Sequence, residues 1–434
     1  MDEVLGRVLA DAEVRPIPEL TPRRVVLPGL PGKADVVSGM RRTGKTYLLF
    51  QKMKELVDSG VPRERLLYLN FEDERLLPVR TEDLHRISDA FYRRYPDNRD
   101  VECWFLLDEI QNVPGWERFV RRLIDSPGSR VVVTGSSARL LSSEIATSLR
   151  GRSLTTELLP FGFAESLDHA GLAAPRVWPP GASARSRLAR HLERFLEVGG
   201  FPEVQGLDEP LRRRVLRDYV DVVLFRDVVE RHGVTNVAAL RQLVRRVLRS
   251  PAGELSLHRL YNDFRSQGLR VGKDNLYEYL SHLEEAHFVH AVSIEARSER
   301  KRMVHPRKVY LADPALARAH SFEAEADRGH LFENLVYVEL RRRGADVTYY
   351  RTASGRQVDF LVRRGDEEPV LLQASLDLAR EETRRRELEA LEEAMEERRV
   401  RTGQVVTLFD EGTERTGAGT IRIRHAAAWF LDLD

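Results

Sequence analysis

The chain has 434 residues, and its 69 basic and 68 acidic side chains leave a formal net charge of +1. This length predicts about three or four domains, and the near-zero charge excludes a whole-molecule field that attracts nucleic acid or membranes. The single cysteine, Cys103, excludes an internal disulfide, and no apolar run reaches the roughly 18 residues that span a membrane. With no signal-peptide pattern either, we expect a cytoplasmic protein without membrane contact.

The first motif along the chain is residues 39–46, GMRRTGKT, which fit the phosphate-loop pattern G-x-x-x-x-G-K-[ST] at every fixed position. A short apolar run, residues 36–37, precedes the loop, and the apolar-rich stretch 47–50 follows it. This is the strand, loop and helix context that the motif requires. We expect Gly39 and Gly44 to take φ > 0 and to let backbone N–H groups approach phosphate oxygens.

The loop side chains have expected roles in binding ATP and Mg²⁺. Lys45 supplies a cation to the β- and γ-phosphates, and the Thr46 hydroxyl is a ligand for Mg²⁺. The residues expected to contact the nucleotide are Gly39, Arg42, Thr43, Gly44, Lys45, Thr46 and Tyr47. The alternative, a chance glycine-rich turn before a helix, is disfavoured by the complete match in its context.

Two further apolar runs predict buried strands, at residues 66–71 and 103–107. The second run leads directly into Asp108 and Glu109. At the tip of a parallel strand, Asp108 can hold Mg²⁺ and Glu109 can orient the attacking water. The alternative is a solvated acidic strand end, which the preceding phosphate loop disfavours.

The next strand, residues 130–134, ends in a polar segment at the same predicted edge of the sheet. A polar side chain there can help to fix the attacking water; Thr134 and Ser136 are both candidates, and the sequence does not rank them. A further strand is predicted at 154–159. The alternation of strands and helices predicts right-handed crossovers and a doubly wound parallel sheet.

Three motifs in this region resemble AAA-type ATPases of archaea and bacteria, in particular the family whose C-terminal half is a domain of unknown function. They are residues 108–116 (DEIQNVPGW), 134–137 (TGSS) and 149–152 (LRGR). The resemblance implies a catalytic arginine after the core strands that reaches a nucleotide, often that of a neighbouring subunit. Arg152, or Arg150, would have that role in a homo-oligomer, and a surface salt bridge is the alternative.

Four domains are predicted: a P-loop ATPase core at 1–160, a helical lid at 161–235, a winged helix-turn-helix at 236–318 and a nuclease-like domain at 319–434. In the lid, apolar residues recur at helical spacing over 188–196, and the helix stops at residues 199–202, GGFP. Ending the helix is a sufficient reason for these residues. The resemblance implies in addition that Gly200 and Pro202 lie near the nucleotide base.

The winged helix is predicted from three helical segments and two strands, residues 289–294 and 308–311, that flank a basic segment, residues 297–307. DNA binding through this wing is one hypothesis. The third helix, however, contains four acidic residues, which suit a polyanion poorly. They are Asp274, Glu278, Glu284 and Glu285. A lid or a surface for a protein partner is the alternative.

The predicted order of helix, three strands, helix and strand in the last domain resembles restriction-type nucleases. Glu333 and Asp359 would face a common point, where such a site needs carboxylates around Mg²⁺ and a lysine beside the water. Residues 373–375, Gln-Ala-Ser, stand where that motif has an acidic residue and a lysine. We therefore expect a degenerate domain that binds DNA or a protein partner without cutting.

The sequence as a whole predicts an α/β protein with a P-loop AAA-type core, a parallel sheet, a helical lid, a winged helix-turn-helix and a C-terminal α/β nuclease-like domain. The expected function is ATP hydrolysis coupled to remodelling or processing of structured DNA by a homo-oligomer. A nucleotide-controlled switch or scaffold that binds a protein partner is the alternative. An ATP-regulated, Mg²⁺-dependent nuclease is the second alternative.

Overall fold

The structure is a computed structural model that describes residues 2–76, 78–137, 148–149, 151–320 and 328–433. The chain divides into two units. The first comprises Met1–Leu158 with Glu285–His287, and the second comprises Leu159–Glu284 with Phe288–Asp434. Within the described ranges, every helix is too short or too polar to serve as a membrane span.

The first unit contains a parallel sheet of five strands in the part of it that the structure describes. The strands are β1 (Ala34–Ser38), β2 (Leu66–Asn70), β3 (Cys103–Asp108), β4 (Ser129–Gly135) and β5 (Ser153–Glu157). Their spatial order is β2-β3-β4-β1-β5, and each neighbouring pair is parallel. The predicted parallel sheet is confirmed, and the carboxyl ends of its strands meet at one edge.

Helices cover both faces of this sheet because alternate residues of the buried strands point to opposite sides. The helices are α1 (Asp2–Val14), α2 (Lys45–Asp58), α3 (Leu84–Arg94) and α4 (Trp116–Asp125). On β3, Phe105 packs in the core with α1, α3 and α4, whereas Leu106 packs in the core with α2. The central strands are therefore buried on both faces. The phosphate loop leaves this sheet at the carboxyl end of β1.

The second unit begins with α5 (Phe163–His169), α6 (Ala182–Val198) and α7 (Glu209–Val222), and a π-helix, Val223–Glu230, continues α7. Helix α6 ends at two glycines that have no room for a side chain. A Cβ on Gly199, which has φ +72°, would lie 2.0 Å from Asp313 Oδ1, and one on Gly200 would lie 2.2 Å from the Phe161 carbonyl oxygen. Close packing therefore explains why glycine follows the helix twice.

Three helices and a small antiparallel sheet come next. The elements are α8 (Val237–Arg249), β6 (Gly253–Leu255), α9 (Leu257–Ser266), α10 (Lys273–Glu285), β7 (Val289–Val292), α11 (Glu299–Val304) and β8 (Arg307–Leu311). The strand order is β6-β8-β7. The three predicted helices are present, and the predicted basic hairpin contains the short helix α11. The winged-helix assignment and the four-domain division stay predictions.

The rest of the second unit is built on a mixed sheet. Its elements are α12 (Ala315–His320), α13 (Arg328–Arg342), β9 (Asp346–Arg351), β10 (Gln357–Arg363), β11 (Val370–Ala374), α14 (Glu381–Arg398), β12 (Thr402–Thr407), β13 (Gly412–Arg415), β14 (Thr420–His425) and α15 (Ala426–Phe430). The strand order is β13-β14-β12-β11-β10-β9. The predicted helix, three strands, helix and strand are all found, and β13, β14 and α15 extend them.

Candidate active site

The phosphate loop runs from the end of β1 to the start of α2. Gly44 has φ +97° and Arg42 has φ +68°, so two residues of the loop take the left-handed conformation. The expectation of φ > 0 at Gly39 is wrong, because Gly39 is not among the residues with positive φ. Its requirement is space: a Cβ there would lie 2.3 Å from the carbonyl oxygen of Leu158, which follows β5.

Lys45 is the buried cation of this loop. Its Nζ donates to the carbonyl oxygens of Gly39, at 3.0 Å, and Met40, at 3.2 Å. The ammonium also lies 3.7 Å from Glu109 Oε1. It is thereby held inside the concave side of the loop, where phosphate oxygens are stronger acceptors than the neutral carbonyls.

Asp108, at the end of β3, is fully buried and accepts hydrogen bonds from three hydroxyl groups. Thr46 Oγ1 donates to Oδ2 at 2.7 Å, Tyr68 OH donates to Oδ2 at 3.1 Å, and Thr134 Oγ1 donates to Oδ1. Burial, with a smaller contribution from Glu109, raises the pKa of Asp108. A buried carboxylate beside a hydroxyl is a hard oxygen pair that suits Mg²⁺.

Glu109 is the second carboxylate, and its backbone takes the left-handed conformation with φ +53°. Its N–H donates to Thr134 Oγ1 at 3.2 Å, and Gln111 Nε2 donates to its Oε2. A non-glycine residue in this conformation costs free energy, and such residues concentrate at functional sites. The Glu109 carboxylate lies 3.7 Å from the Lys45 ammonium.

Thr134 and Ser136 follow each other along the end of β4, but their environments differ. Thr134 is bonded to both Asp108 and the Glu109 backbone. Ser136 is fully buried, and its Oγ has no hydrogen-bond partner among the described atoms. Because Gly135 pairs with Ser38, Ser136 lies beside the start of the phosphate loop. The two candidates that the sequence did not rank therefore differ: Thr134 is hydrogen-bonded within the site, whereas the Ser136 hydroxyl has no partner among the described atoms.

Arg152 lies at the opposite end of the sheet from the phosphate loop. It precedes β5, its carbonyl accepts the N–H of Ala34 at the start of β1, and its guanidinium pairs with Asp125. The structure therefore does not bring Arg152 to the phosphate loop of its own chain. Arg150 lies outside the described residues. Arg42 and Tyr47 have exposed side chains.

Three contacts in the site escaped the sequence analysis. Tyr68 on β2 bonds to Asp108, Gln111 bonds to Glu109, and Arg23 Nη1 donates to the Thr43 carbonyl oxygen at 2.7 Å. For Tyr68 a signal was available, because it is the one residue with a polar group in the run of residues 66–69. Arg23 is 20 residues from Thr43, and no local pattern pairs them.

The structure also brings Glu333 and Asp359 together within the second unit, around a lysine that the sequence analysis did not consider. Lys308 Nζ, on β8, lies 2.6 Å from Glu333 Oε1 and 2.9 Å from Asp359 Oδ1. Burial lowers the pKa of Lys308 while Asp359 and Glu333 raise it, and the net shift is upward. Burial, with Asp359, raises the pKa of Glu333 to about 7. The nuclease-like character of this domain stays a prediction.

Comparison with known families divides the chain into three parts. Residues 32–167 match the AAA domain. Residues 189–326 match a domain of unknown function, DUF8612, and residues 328–424 match another, DUF4143. The AAA match contains the phosphate loop and both carboxylates of the site, and it bears out the predicted P-loop AAA-type core.

Similar solved structures include Cdc6p from Pyrobaculum aerophilum, with 14% identity over 70% of this chain and 88% of that chain and a TM-score of 0.26. AMPPCP-bound DnaA from Aquifex aeolicus has 15% identity over 65% and 86% and a TM-score of 0.24.

Two relatives are named as uncharacterized proteins. One, from Haemophilus influenzae, is 31% identical over 76% of this chain and 80% of the relative. The other, MJ1544 of Methanocaldococcus jannaschii, is 32% identical over 94% of this chain and 89% of the relative. The chain is therefore a P-loop protein of the AAA type and belongs to the same family as MJ1544 of Methanocaldococcus jannaschii.

Proposed function

We propose that the chain hydrolyses ATP with Mg²⁺ at the phosphate loop. The observation that carries this proposal is the convergence of Thr46 and Asp108, 2.7 Å apart, beside a Glu109 carboxylate that lies 3.7 Å from Lys45. In phosphoryl transfer the protein contributes mainly by positioning the reactants and stabilising charge, and it forms no covalent bond itself. These four side chains supply both contributions.

Each group of the site has a separate task in this proposal. Thr46 and Asp108 hold Mg²⁺, and Lys45 leaves its carbonyl acceptors to contact the phosphates. Glu109 orients the attacking water. Thr134 holds the Asp108 carboxylate and the Glu109 backbone N–H. The Ser136 hydroxyl, which has no partner among the described atoms, is available to the γ-phosphate or the water.

The decisive variant is Glu109→Gln, which keeps the size of the side chain and removes its charge. We expect kcat for ATP hydrolysis to fall about 100-fold or more, because a water-orienting base contributes on that scale, while ATP stays bound. Glu102→Gln is the matched control, since exposed Glu102 directly precedes the same strand. Equal turnover in the wild type and Glu109→Gln would overturn the role of Glu109.

We further propose that DNA is the macromolecular substrate, bound through the basic segment that contains α11. Arg297, Arg300 and Lys301 are exposed there and form no ion pair within the described ranges, with Glu299 as the acidic neighbour. Unpaired cations on an exposed segment suit phosphate contacts. The acidic helix α10 is the poorer candidate for the groove.

Charge reversal tests this partner. Arg300→Glu with Lys301→Glu should weaken duplex DNA binding at low salt about tenfold or more and reduce its salt dependence. Arg187→Glu with Arg190→Glu, on exposed positions of α6, makes the same change in net charge and should have little effect. DNA affinity that is absent in the wild type, with turnover that DNA does not alter, would instead favour the protein-partner switch.

Arg152 is the residue on which the oligomer proposal rests, and its guanidinium must leave Asp125 to reach a neighbouring copy. Its side chain is partly exposed and lies at the end of β5 away from its own phosphate loop. An arginine in that place can complete the nucleotide site of a neighbouring copy, as arginine fingers supplied in trans do. We propose a homo-oligomer in which Arg152 has this task.

A further inference from the structure

The second unit contains a cavity of about 910 Å³ whose floor is a cluster of buried and partly buried charged and amide groups. It lies between β8, α13, β10, β11 and α14. The floor residues are Lys308, Glu333, Gln357, Asp359, Gln373 and Glu387. The cluster belongs to the second unit, whereas the phosphate loop belongs to the first.

Lys308 places a cation at the centre of this floor. Its side chain is 4% exposed, and its Nζ lies 2.6 Å from Glu333 Oε1 and 2.9 Å from Asp359 Oδ1. With the Gln357 amide turned so that its oxygen faces the ammonium, the third acceptor is 2.8 Å away. An ammonium has three N–H donors, so each has an acceptor. A phosphate can gain a hydrogen bond from Lys308 only if one of these is broken.

The remaining polar groups of the floor are also paired. Asp359 Oδ2 accepts the N–H of Ala374 at 3.2 Å, and the Gln373 side-chain oxygen accepts the N–H of Asp359 at 2.7 Å. Gln373 Nε2 donates to Glu387 Oε2 at 2.7 Å. The neutral amide thus bridges two acidic residues and adds no charge. Among the residues that the structure describes, the cation that contacts both Glu333 and Asp359 is the Lys308 ammonium.

The two carboxylates are also the ligand type that Mg²⁺ and Mn²⁺ prefer, but a metal ion and the ammonium exclude each other from this position. Mg²⁺ binds oxygens at about 2.0–2.1 Å. An ammonium that contacts the same two oxygens fills that space, and electrostatic repulsion adds to the steric conflict. Lys308 is covalently tethered, so dilution never removes it.

We propose that Glu333 and Asp359 form a latent divalent-cation site that the Lys308 ammonium permanently occupies. In the native chain this keeps the cavity free of metal. Loss of the lysine side chain opens the site to Mg²⁺ or Mn²⁺. A metal-free floor also lacks the means to activate water for phosphodiester cleavage. The domain then binds its partner without cutting.

Mn²⁺ titration of the nucleotide-free full chain, followed by the electron paramagnetic resonance signal of free Mn²⁺, tests this inference. All proteins carry Asp108→Asn, so that the phosphate loop contributes no metal site. We expect Lys308→Met to gain one Mn²⁺ site at least about tenfold tighter than any in its parent, because the buried Glu333 and the partly buried Asp359 lose their cation. Adding Asp359→Asn to Lys308→Met should abolish the gain.

Three outcomes would overturn the proposal. The first is Mn²⁺ binding by the parent that Asp359→Asn removes, since the native site would then hold metal. The second is a folded Lys308→Met protein that gains no site. If Lys308→Met does not fold alone, we expect Mn²⁺ to restore its cooperative thermal transition, and failure of that rescue is the third. The proposal does not rest on ATP hydrolysis, because Lys308→Met with a native Asp108 should keep wild-type turnover.

Discussion

The hydroxyl of Thr46 donates to Asp108 Oδ2 at 2.7 Å and so joins the first residues of α2 to the end of β3. The two residues are 62 positions apart. The parallel sheet brings them together because Asp108 is the last residue of β3 and Thr46 follows the carboxyl end of β1. This contact is the core of the proposed Mg²⁺ site. The bonds from Tyr68 and Thr134 hold the same carboxylate from the neighbouring strands.

Tyr68→Phe tests whether the phenol positions Asp108. The change leaves the ring in place and removes one donor from a buried carboxylate, which should lower the free energy of unfolding by about 1–2 kcal/mol. We also expect kcat for ATP hydrolysis to fall several-fold with little change in KM, since the donor orients a metal ligand. Tyr277→Phe, at a 40% exposed side chain, is the control. Equal effects of the two changes would contradict a positioning role.

Gly39→Ala tests the close approach of the phosphate loop to the end of β5. The added Cβ would meet the Leu158 carbonyl oxygen at 2.3 Å, so loop or strand must move. We expect ATP binding, measured by calorimetry, to weaken at least about tenfold and stability to fall by about 2 kcal/mol. Gly6→Ala, which has nothing within 4 Å of the new Cβ and lies in α1, should be neutral or stabilising. Normal ATP affinity of Gly39→Ala would show that the approach is dispensable.

Mixing two inactive variants tests the proposed oligomer. Lys45→Ala should lack ATP binding, and Arg152→Ala should bind ATP but turn over about 100-fold or more slowly, on the scale of an arginine finger. A mixed assembly then contains some sites with an intact Lys45 and an intact neighbouring Arg152. We expect phosphate release to recover to roughly a quarter of the wild-type rate at equal mixing of a cyclic assembly. No recovery from subunits that do exchange would place Arg152 outside the neighbour's site.

The pH dependence of stability should report Glu333. Its pKa is raised from 4.5 to about 7 in the folded chain, with Lys308, Asp359 and Tyr310 facing it. Between these values the folded chain binds more protons than the unfolded chain, so the free energy of unfolding falls as the pH rises. Glu333→Gln should remove about 2 kcal/mol of this fall between pH 4.5 and 7 in denaturant titrations. An unchanged pH profile would contradict a raised pKa.

Local patterns predicted much of the first unit. The phosphate loop and the pair Asp108 and Glu109 follow apolar strands, and parallel strands place such residues at one edge without knowledge of side-chain contacts. The conformation of the loop could not be predicted as fully from the sequence. Gly39 is needed because the Leu158 carbonyl oxygen approaches it closely, and its φ is not positive. That contact depends on the pairing of β1 with β5, which no local pattern specifies.

In the second unit, too, contacts between residues that are far apart in sequence could not be predicted from local patterns. Glu333 and Asp359 are expected from the sequence to face a common point, and the motif's lysine is expected at residue 375, where the chain has serine. The cation is Lys308, on a strand of a different sheet, 25 and 51 residues from its two partners. A lysine in an apolar strand run, residues 308–311, was the available signal. Its partners, Glu333 and Asp359, could not be predicted from the sequence because they depend on the tertiary packing of β8 against α13 and β10.

The most direct test of the central claim is the identity of the nucleotide that stays bound after incubation with Mg²⁺ and ATP. Wild-type protein and Glu109→Gln are separated from free nucleotide and the bound fraction is resolved by chromatography. We predict ADP on the wild type and intact ATP on Glu109→Gln, because the variant keeps Lys45, Thr46 and Asp108 but loses the group that orients water. Intact ATP on both proteins, or ADP on both, would contradict the account.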